Sequence, residues 1–419
     1  MATLEIPTNY RQHVIAGFGW QSLLKITLAG LALIKVFFLA RLLTPTDFGV
    51  FSLIAIGLGI SEAITQTGIN ITILQTSDNP AKLIDTAWVI AILRGLLIAL
   101  LVSLLGILMS WFFQTPKLLP LGFLAALVPI IKGFINPSIA IWQKNFLFSR
   151  DSIYYIARQI VEVIATIILA WFWRDVTVFI WGMIVAALGE VILSFLMATP
   201  KPKLLYNKVA AKTIFQNARG LSITAALSYL TENIDDLILG KILGTYDLGL
   251  YHNGYTISHK LCYEPAKAAN YSLLAAYTKL TTDQRRFWRG AMKAFALLLL
   301  GLVAIGLLLI TFRQLVVSLA LGSQWQAVVN ILPWLTLAAI TQGVIAFIYN
   351  ILIARKNYSL INWHLAVTLP TMSAAIWLAG LKFGLVGAVA ALALSRTFLL
   401  IPLMIWTYFL VKKTNAPTA

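Results

Sequence analysis

The sequence predicts an all-α membrane protein: about twelve transmembrane helices in two six-helix lobes around a central cavity. Composition is the first observation behind this. Of 419 residues, 60% are hydrophobic and 11% charged, and the mean hydropathy is +0.85. A soluble domain carries roughly 25% charged residues. The second observation is a series of apolar runs near the ~20 residues that a bilayer requires. The third is a repeat. The stretch LARLLTPTDFGVFS (Leu39–Ser52) returns without a gap as LGKILGTYDLGLYH (Leu239–His252). Arg41 matches Lys241, Asp47 matches Asp247, Gly49 matches Gly249 and Phe51 matches Tyr251. Lys144-Asn145-Phe146 is echoed by Lys356-Asn357-Tyr358. Internal repeats decide an architecture before any single element does.

In chain order, the apolar segments fall at about 14–39, 48–73, 84–112, 118–141, 153–173 and 177–197. After the basic linker they resume at about 214–240, 248–275, 290–312, 327–353, 360–381 and 384–411. The domain reading is a first lobe over 1–198, a linker over 199–213 and a second lobe over 214–419. The repeated phrase is the turn between helices 1 and 2, and again between helices 7 and 8. In that turn Gly49 and Gly249 permit a tight entry into the next helix, Asp47 and Asp247 are cap candidates, and Arg41 and Lys241 can snorkel. The opening MATLEIPTNYRQHV does not read as a signal peptide, because no small-residue cleavage site follows its long apolar run.

Six helices per lobe is an even number, so both lobes enter the membrane in the same direction. Such parallel repeats hold their substrate at the repeat interface and rock about it. Orientation follows from the basic loops. With the N-terminus inside, the cytoplasmic segments carry 16 Lys and Arg and the outer loops carry 6. Both termini are therefore expected in the cytoplasm. This bias accounts for much of the +17 net charge, which removes the need for nucleic acid as a partner. The single cysteine, Cys262, excludes an intrachain disulfide and a cysteine metal cluster. No metal-ligand spacing or phosphate-cradling loop appears, the four histidines are dispersed, and no long loop clusters carboxylates, so neither a metal site nor an enzyme is expected.

Charges inside the apolar segments carry the functional signal. A mid-membrane Lys or Arg costs about 2.5–3.5 kcal/mol on insertion scales, so such residues face water or partners. Lys25, Arg94, Lys132, Lys260 and Arg396 fall near mid-membrane. Arg158, Arg219, Lys267 and Lys293 lie nearer the cytoplasmic face and Lys35 nearer the outer one, where snorkelling is one explanation and a place in the lumen the other. Arg158 also has Glu162 four residues on. Polar stripes support a lumen: Asn217, Thr224, Ser228, Thr231 and Asp235 in helix 7, and Asn253, Thr256, Lys260, Glu264, Lys267 and Tyr271 in helix 8. Gln21, Lys25 and Lys35 form a similar stripe in helix 1. Helix-to-helix hydrogen bonding is the other explanation of such stripes. A surplus of cations suits an anionic solute such as phosphate or pyrophosphate. Glu62, Glu232, Asp235 and Asp236 are candidates for binding a coupling ion, or for pairing with those cations.

Several phrases carry a resemblance: LARLLTPTDFG (39–49), TGINITILQT (67–76), DTAWVIAILRGLL (85–97), WQKNFLFSR (142–150), DDLILGKILGTYDLGLY (235–251) and LLAAYTKLTTDQRR (273–286). In these the chain resembles the polysaccharide flippases of the multidrug/oligosaccharidyl-lipid/polysaccharide exporter superfamily. The resemblance implies movement of polyprenyl-(pyro)phosphate-linked oligosaccharide across the inner membrane, for O-antigen, capsule or exopolysaccharide synthesis. It implies two lobes around a cationic cavity, alternating access driven by a Na+ or H+ gradient, and no other cofactor. Its implied partners are the lipid-linked oligosaccharide, membrane lipids, and polysaccharide polymerase and chain-length machinery. Arg94 and Asp235 are the positions that carry over best. Some members have fourteen helices rather than twelve. The alternative within the superfamily is a cation-coupled multidrug or small-solute antiporter, for which an acidic lumen is expected. A major-facilitator transporter would carry a glycine-and-basic signature between helices 2 and 3, where QTSDNPAKL stands instead.

Overall fold

A computed structural model describes residues 10–76, 80–218, 221–267, 284–355 and 357–413. Several residues of the sequence reading lie outside the described residues: Arg219, Tyr271, Lys279 and Lys356, and the side chains of Arg11, Lys82, Asn217, Thr224, Arg285, Arg286, Lys412 and Lys413.

The described residues are helical, without a strand. Among the described residues, eight helices are long and apolar enough to cross a membrane, and a ninth crossing results if the bent pair Leu118–Lys132 and Pro137–Lys144 is one span. One of the eight, Tyr358–Lys413, breaks at Gly384 (φ 63°), which separates the segments expected at 360–381 and 384–411. The helix Leu221–Ser258 breaks likewise at Gly244 (φ 85°), between helices 7 and 8. A φ in this range is open to glycine and strained for other residues.

The chain forms two compact units. The first comprises residues 1–43 and 50–233. In it α1 (Tyr10–Leu42) packs on α8 (Phe148–Trp173), and α8 packs on α9 (Thr177–Met197). There α4 (Ala81–Phe112) packs on the short helices α5 (Leu118–Ala125) and α6 (Leu127–Lys132), and α6 reaches α9. Helix α3 (Ile69–Gln75) lies against α7 (Ala140–Lys144) and against α10 (Lys208–Ala218), a helix that starts inside the expected linker and runs five residues past it. The second unit takes in 44–49 and 234–419. It is built around α14 (Val328–Ala354), which packs on α12 (Gln284–Thr311), α13 (Arg313–Ala320) and α15 (Tyr358–Lys413). The division at 233/234 falls within α11 (Leu221–Ser258), past the linker. Large apolar side chains such as Trp111, Phe172, Leu196 and Phe383 point outward, which suits lipid and not water.

The repeated phrase works differently from the local reading. Helix α2 (Pro45–Ile64) begins with a capping box, not an Asp47 cap. Thr44 is the N-cap, Pro45 fills the first helical position, and the Asp47 carboxylate accepts from the Thr44 amide (2.9 Å) and hydroxyl (2.6 Å). Gly49 and Gly249 serve a crossing rather than a turn. A Cβ on Gly49 would strike the Thr245 carbonyl, and one on Gly249 would strike the Pro45 carbonyl. The two copies of the phrase thus cross backbone to backbone within the second unit, a small-residue contact typical of membrane helices.

Candidate functional site

In the first unit, three charged residues meet at the C-terminal end of α2. Helix C-termini leave carbonyls without intrahelical donors. Arg94, from α4, supplies donors: its Nε binds the Thr65 carbonyl at 2.7 Å and its Nη2 the Glu62 carbonyl at 3.0 Å. The planar guanidinium fork suits two oxygens at once, and its charge suits the negative helix end. Lys132, the last residue of α6, reaches the Glu62 carboxylate at 3.6 Å. The two side chains of this pair stay 28% and 45% exposed. Arg94 and Lys132, proposed from sequence as neighbours in function, therefore converge on Glu62. Lys25 stands exposed on α1.

A second cluster lies deeper, and snorkelling does not describe it. The Lys35 ammonium binds Glu162 at 2.7 Å, each side chain 12% exposed. Arg158 lies 3.5 Å from Glu162 on its own helix and 3.1 Å from Glu190 on α9. The four residues sum to zero charge. Placing Lys35 and Arg158 by depth missed the partner of Lys35 on α8, Glu162, and that of Arg158 on α9, Glu190. The lone acid Glu190 in an otherwise apolar helix was the signal that could have found it. Nearby, Gln21 and Gln143 donate to the buried Asp151 at 3.2 and 3.1 Å, so the first residue of the helix 1 stripe serves helix packing.

In the second unit, Asp235 and Arg396 form a buried pair at 3.7 Å. Arg396 also donates from Nη1 to Gln342 and from Nε to the Met372 sulfur, both at 3.4 Å. The Tyr251 hydroxyl donates to Asp235. Tyr251 is the repeat counterpart of Phe51, which stacks on Phe179 at 4.2 Å in the first unit. The duplicated aromatic position has thus become a packing ring in one copy and a hydrogen-bond donor in the other. Asp236 lies 3.5 Å from His252 Nδ1, while Glu232 is exposed. Lys260 and Glu264 approach to 4.0 Å, and Lys267 lies 5.7 Å from the Tyr263 ring.

The helix 8 stripe departs from the reading in one respect. Residues His259–Tyr263 form a π-turn, which adds a residue to the turn and shifts the register of everything after it. Tyr255 stacks on His259 with centroids 4.9 Å apart, and His259 meets Tyr263 at 4.3 Å with the rings tilted by 44°. In helix 7, Ser228 is exposed but Asp235 is fully buried, so its stripe is lined up in sequence and divided in space.

A sequence profile of the family described as "Polysaccharide biosynthesis protein" matches residues 38–330. The chain is 21% identical over 359 residues to the lipopolysaccharide biosynthesis protein WzxC of Escherichia coli (strain K12), covering 83% of this chain and 71% of that one. Among solved structures it resembles the lipid II flippase MurJ in its inward closed conformation, with TM-score 0.67, 14% identity, and 92% and 87% of the two chains covered. It also resembles an inward-facing multidrug-resistance transporter of the MATE family, with TM-score 0.61, 15% identity, and 94% and 96% covered. These structural likenesses establish a shared helical transporter fold.

Proposed function

Because the chain belongs to the polysaccharide biosynthesis protein family, we propose that it is a flippase for polyprenyl-(pyro)phosphate-linked oligosaccharide. It works by alternating access in the inner membrane, with both termini cytoplasmic, and carries out no covalent chemistry. The lipopolysaccharide biosynthesis relative matched by sequence favours this over drug export, where the likeness is one of fold. A polysaccharide polymerase and chain-length machinery receive the product, and a Na+ or H+ gradient supplies the drive.

The observation that carries the proposal is the half-open Lys132–Glu62 pair beside Arg94. An exposed ion pair is worth roughly 0–1 kcal/mol, so an arriving phosphate can displace the Glu62 carboxylate from Lys132 at little cost. The Lys35–Glu162 pair is too enclosed for such an exchange and serves as scaffold. Arg94 stays fixed on the helix end and presents its remaining charge. Lys25 and Lys260 are further cations for the substrate, Arg396 is held in place by Asp235, and Glu62, Glu232, Asp235 and Asp236 are the candidate carboxylates for the coupling ion.

The test is the leaflet distribution of lipid-linked glycan in cells lacking the protein, complemented with wild type, Arg94→Ala, Lys132→Ala or Lys260→Ala. Glycan should accumulate on the cytoplasmic side, with rescue by wild type and not by the variants. Normal outward display in the deletion strain, with no redundant flippase present, would refute the proposal.

A further inference from the structure

The segment from Ala198 to Ala218 has no role in the charge clusters, yet it is built with care. It contains four lysines and no acid. Its depth is set by two backbone hydrogen bonds: the Lys203 amide donates to Asp85 at 2.7 Å and the Asn207 amide to the Thr86 hydroxyl at 3.0 Å. Asp85 and Thr86 stand in the opening turns of the span that starts at Leu83, and the preceding span ends at Met197. The segment therefore lies where two spans reach the edge of the bilayer.

Asn207 then caps α10, its side chain accepting from the Val209 and Ala210 amides at 2.8 and 3.2 Å. One face of α10 is committed to the protein: Ala211 and Ile214 are buried against Ile69, Ile73 and Ile84. The other face is open. Lys208 and Lys212 occupy its centre, with Val209 (74% exposed) to one side and Phe215 to the other. The approach to the helix repeats the pattern, with Lys201 and Lys203 exposed beside Leu204 (70% exposed), Leu205 and Tyr206.

We infer that this strip is a docking surface for the anionic phospholipid headgroups of the leaflet on its own side. Apolar residues alone at this level would suit acyl chains, and lysines alone would suit water. Alternation of the two matches the boundary, where side chains such as Val209 and Phe215 enter the acyl region while lysine ammoniums stay among phosphates. Clustered lysines beside a membrane add attraction to anionic lipid that falls off within a Debye length. Because α10 and its approach are tied to α3 and α4, lipid bound here would hold this edge of the first unit at fixed depth. The inference does not depend on what the protein transports.

The experiment uses the full chain with buried Cys262 replaced by Ser and a bimane fluorophore on Val209→Cys, in nanodiscs of phosphatidylcholine with about one third phosphatidylglycerol. Nitroxide is carried near the headgroup on one lipid or the other. Labelled phosphatidylglycerol should quench at least about threefold more than labelled phosphatidylcholine at equal mole fraction, and raised salt should erase the difference. Replacing Lys201, Lys203, Lys208 and Lys212 together with Gln should bring the ratio to about one. All four are exposed, and elution and thermal stability matching the parent would show that the variant folds. Equal quenching by both lipids, or a preference that survives the four substitutions, would overturn the inference. So would absence of quenching by either lipid, which would mean that another partner covers the face.

Discussion

Replacing Glu162 with Gln and Lys35 with Met, singly and together, gives an asymmetric set of costs. Glu162→Gln strands the Lys35 ammonium, which is 12% exposed and has Glu162 as its acid at 2.7 Å. Arg158 is not stranded, because Glu190 holds it at 3.1 Å. Breaking a buried pair from one side costs roughly 3–5 kcal/mol, so Glu162→Gln should lie near 3. Lys35→Met is milder: Glu162 keeps Arg158 at 3.5 Å, and a loss of about 1 kcal/mol is expected. The double variant removes both charges and leaves Arg158 with Glu190, so it should cost about 1–2 kcal/mol despite two changes. The resulting coupling is about 2 kcal/mol, near thirtyfold in the unfolding equilibrium. Equilibrium unfolding in mixed dodecylmaltoside–SDS micelles measures all three. Equal single costs, or a coupling below about 0.5 kcal/mol, would show that Lys35 reaches water and that the network is not enclosed.

Three further outcomes follow from the same geometry. Gly249→Val places side-chain atoms against the Pro45 carbonyl and should lower stability by about 1–3 kcal/mol, read in the same micelle titration. At Gly290, where an added Cβ meets nothing within 4 Å, the same substitution should be much milder. Thr44→Ala removes the cap that exchanges hydrogen bonds with Asp47 and should cost about 1 kcal/mol, with Thr44→Ser restoring most of it. Arg94→Lys keeps the charge but loses the fork that spans the Thr65 and Glu62 carbonyls, so it should retain part of the stability and little of the glycan flipping. A lysine variant that flips at the wild-type rate would show that charge alone suffices.

Much of the architecture was legible from one dimension. Twelve apolar runs and an ungapped repeat are properties of the chain itself, and the breaks at Gly244 and Gly384 fall where the runs were divided. The convergence of Arg94 and Lys132 was legible only in part. Hydropathy marks both as costly in a membrane but does not say that Glu62 receives them. The cross-helix partners of Lys35 and Arg158 escaped because depth along a helix says nothing about the helix opposite. The π-turn at His259–Tyr263 escaped because the stripe assumes 3.6 residues per turn throughout.

By itself the sequence determined the helical membrane class, the two-fold repetition and the set of residues too costly to face lipid. The tertiary structure alone decided which charges neutralise one another, and that Gly49 and Gly249 serve a crossing rather than a turn. The physical reason is range. Hydropathy, caps and periodicity act over a few neighbouring residues, so they can be read along the chain. Ion pairing and backbone approach depend on which faces of distant helices meet, with Lys35 and Glu162 127 residues apart in sequence and 2.7 Å apart in space.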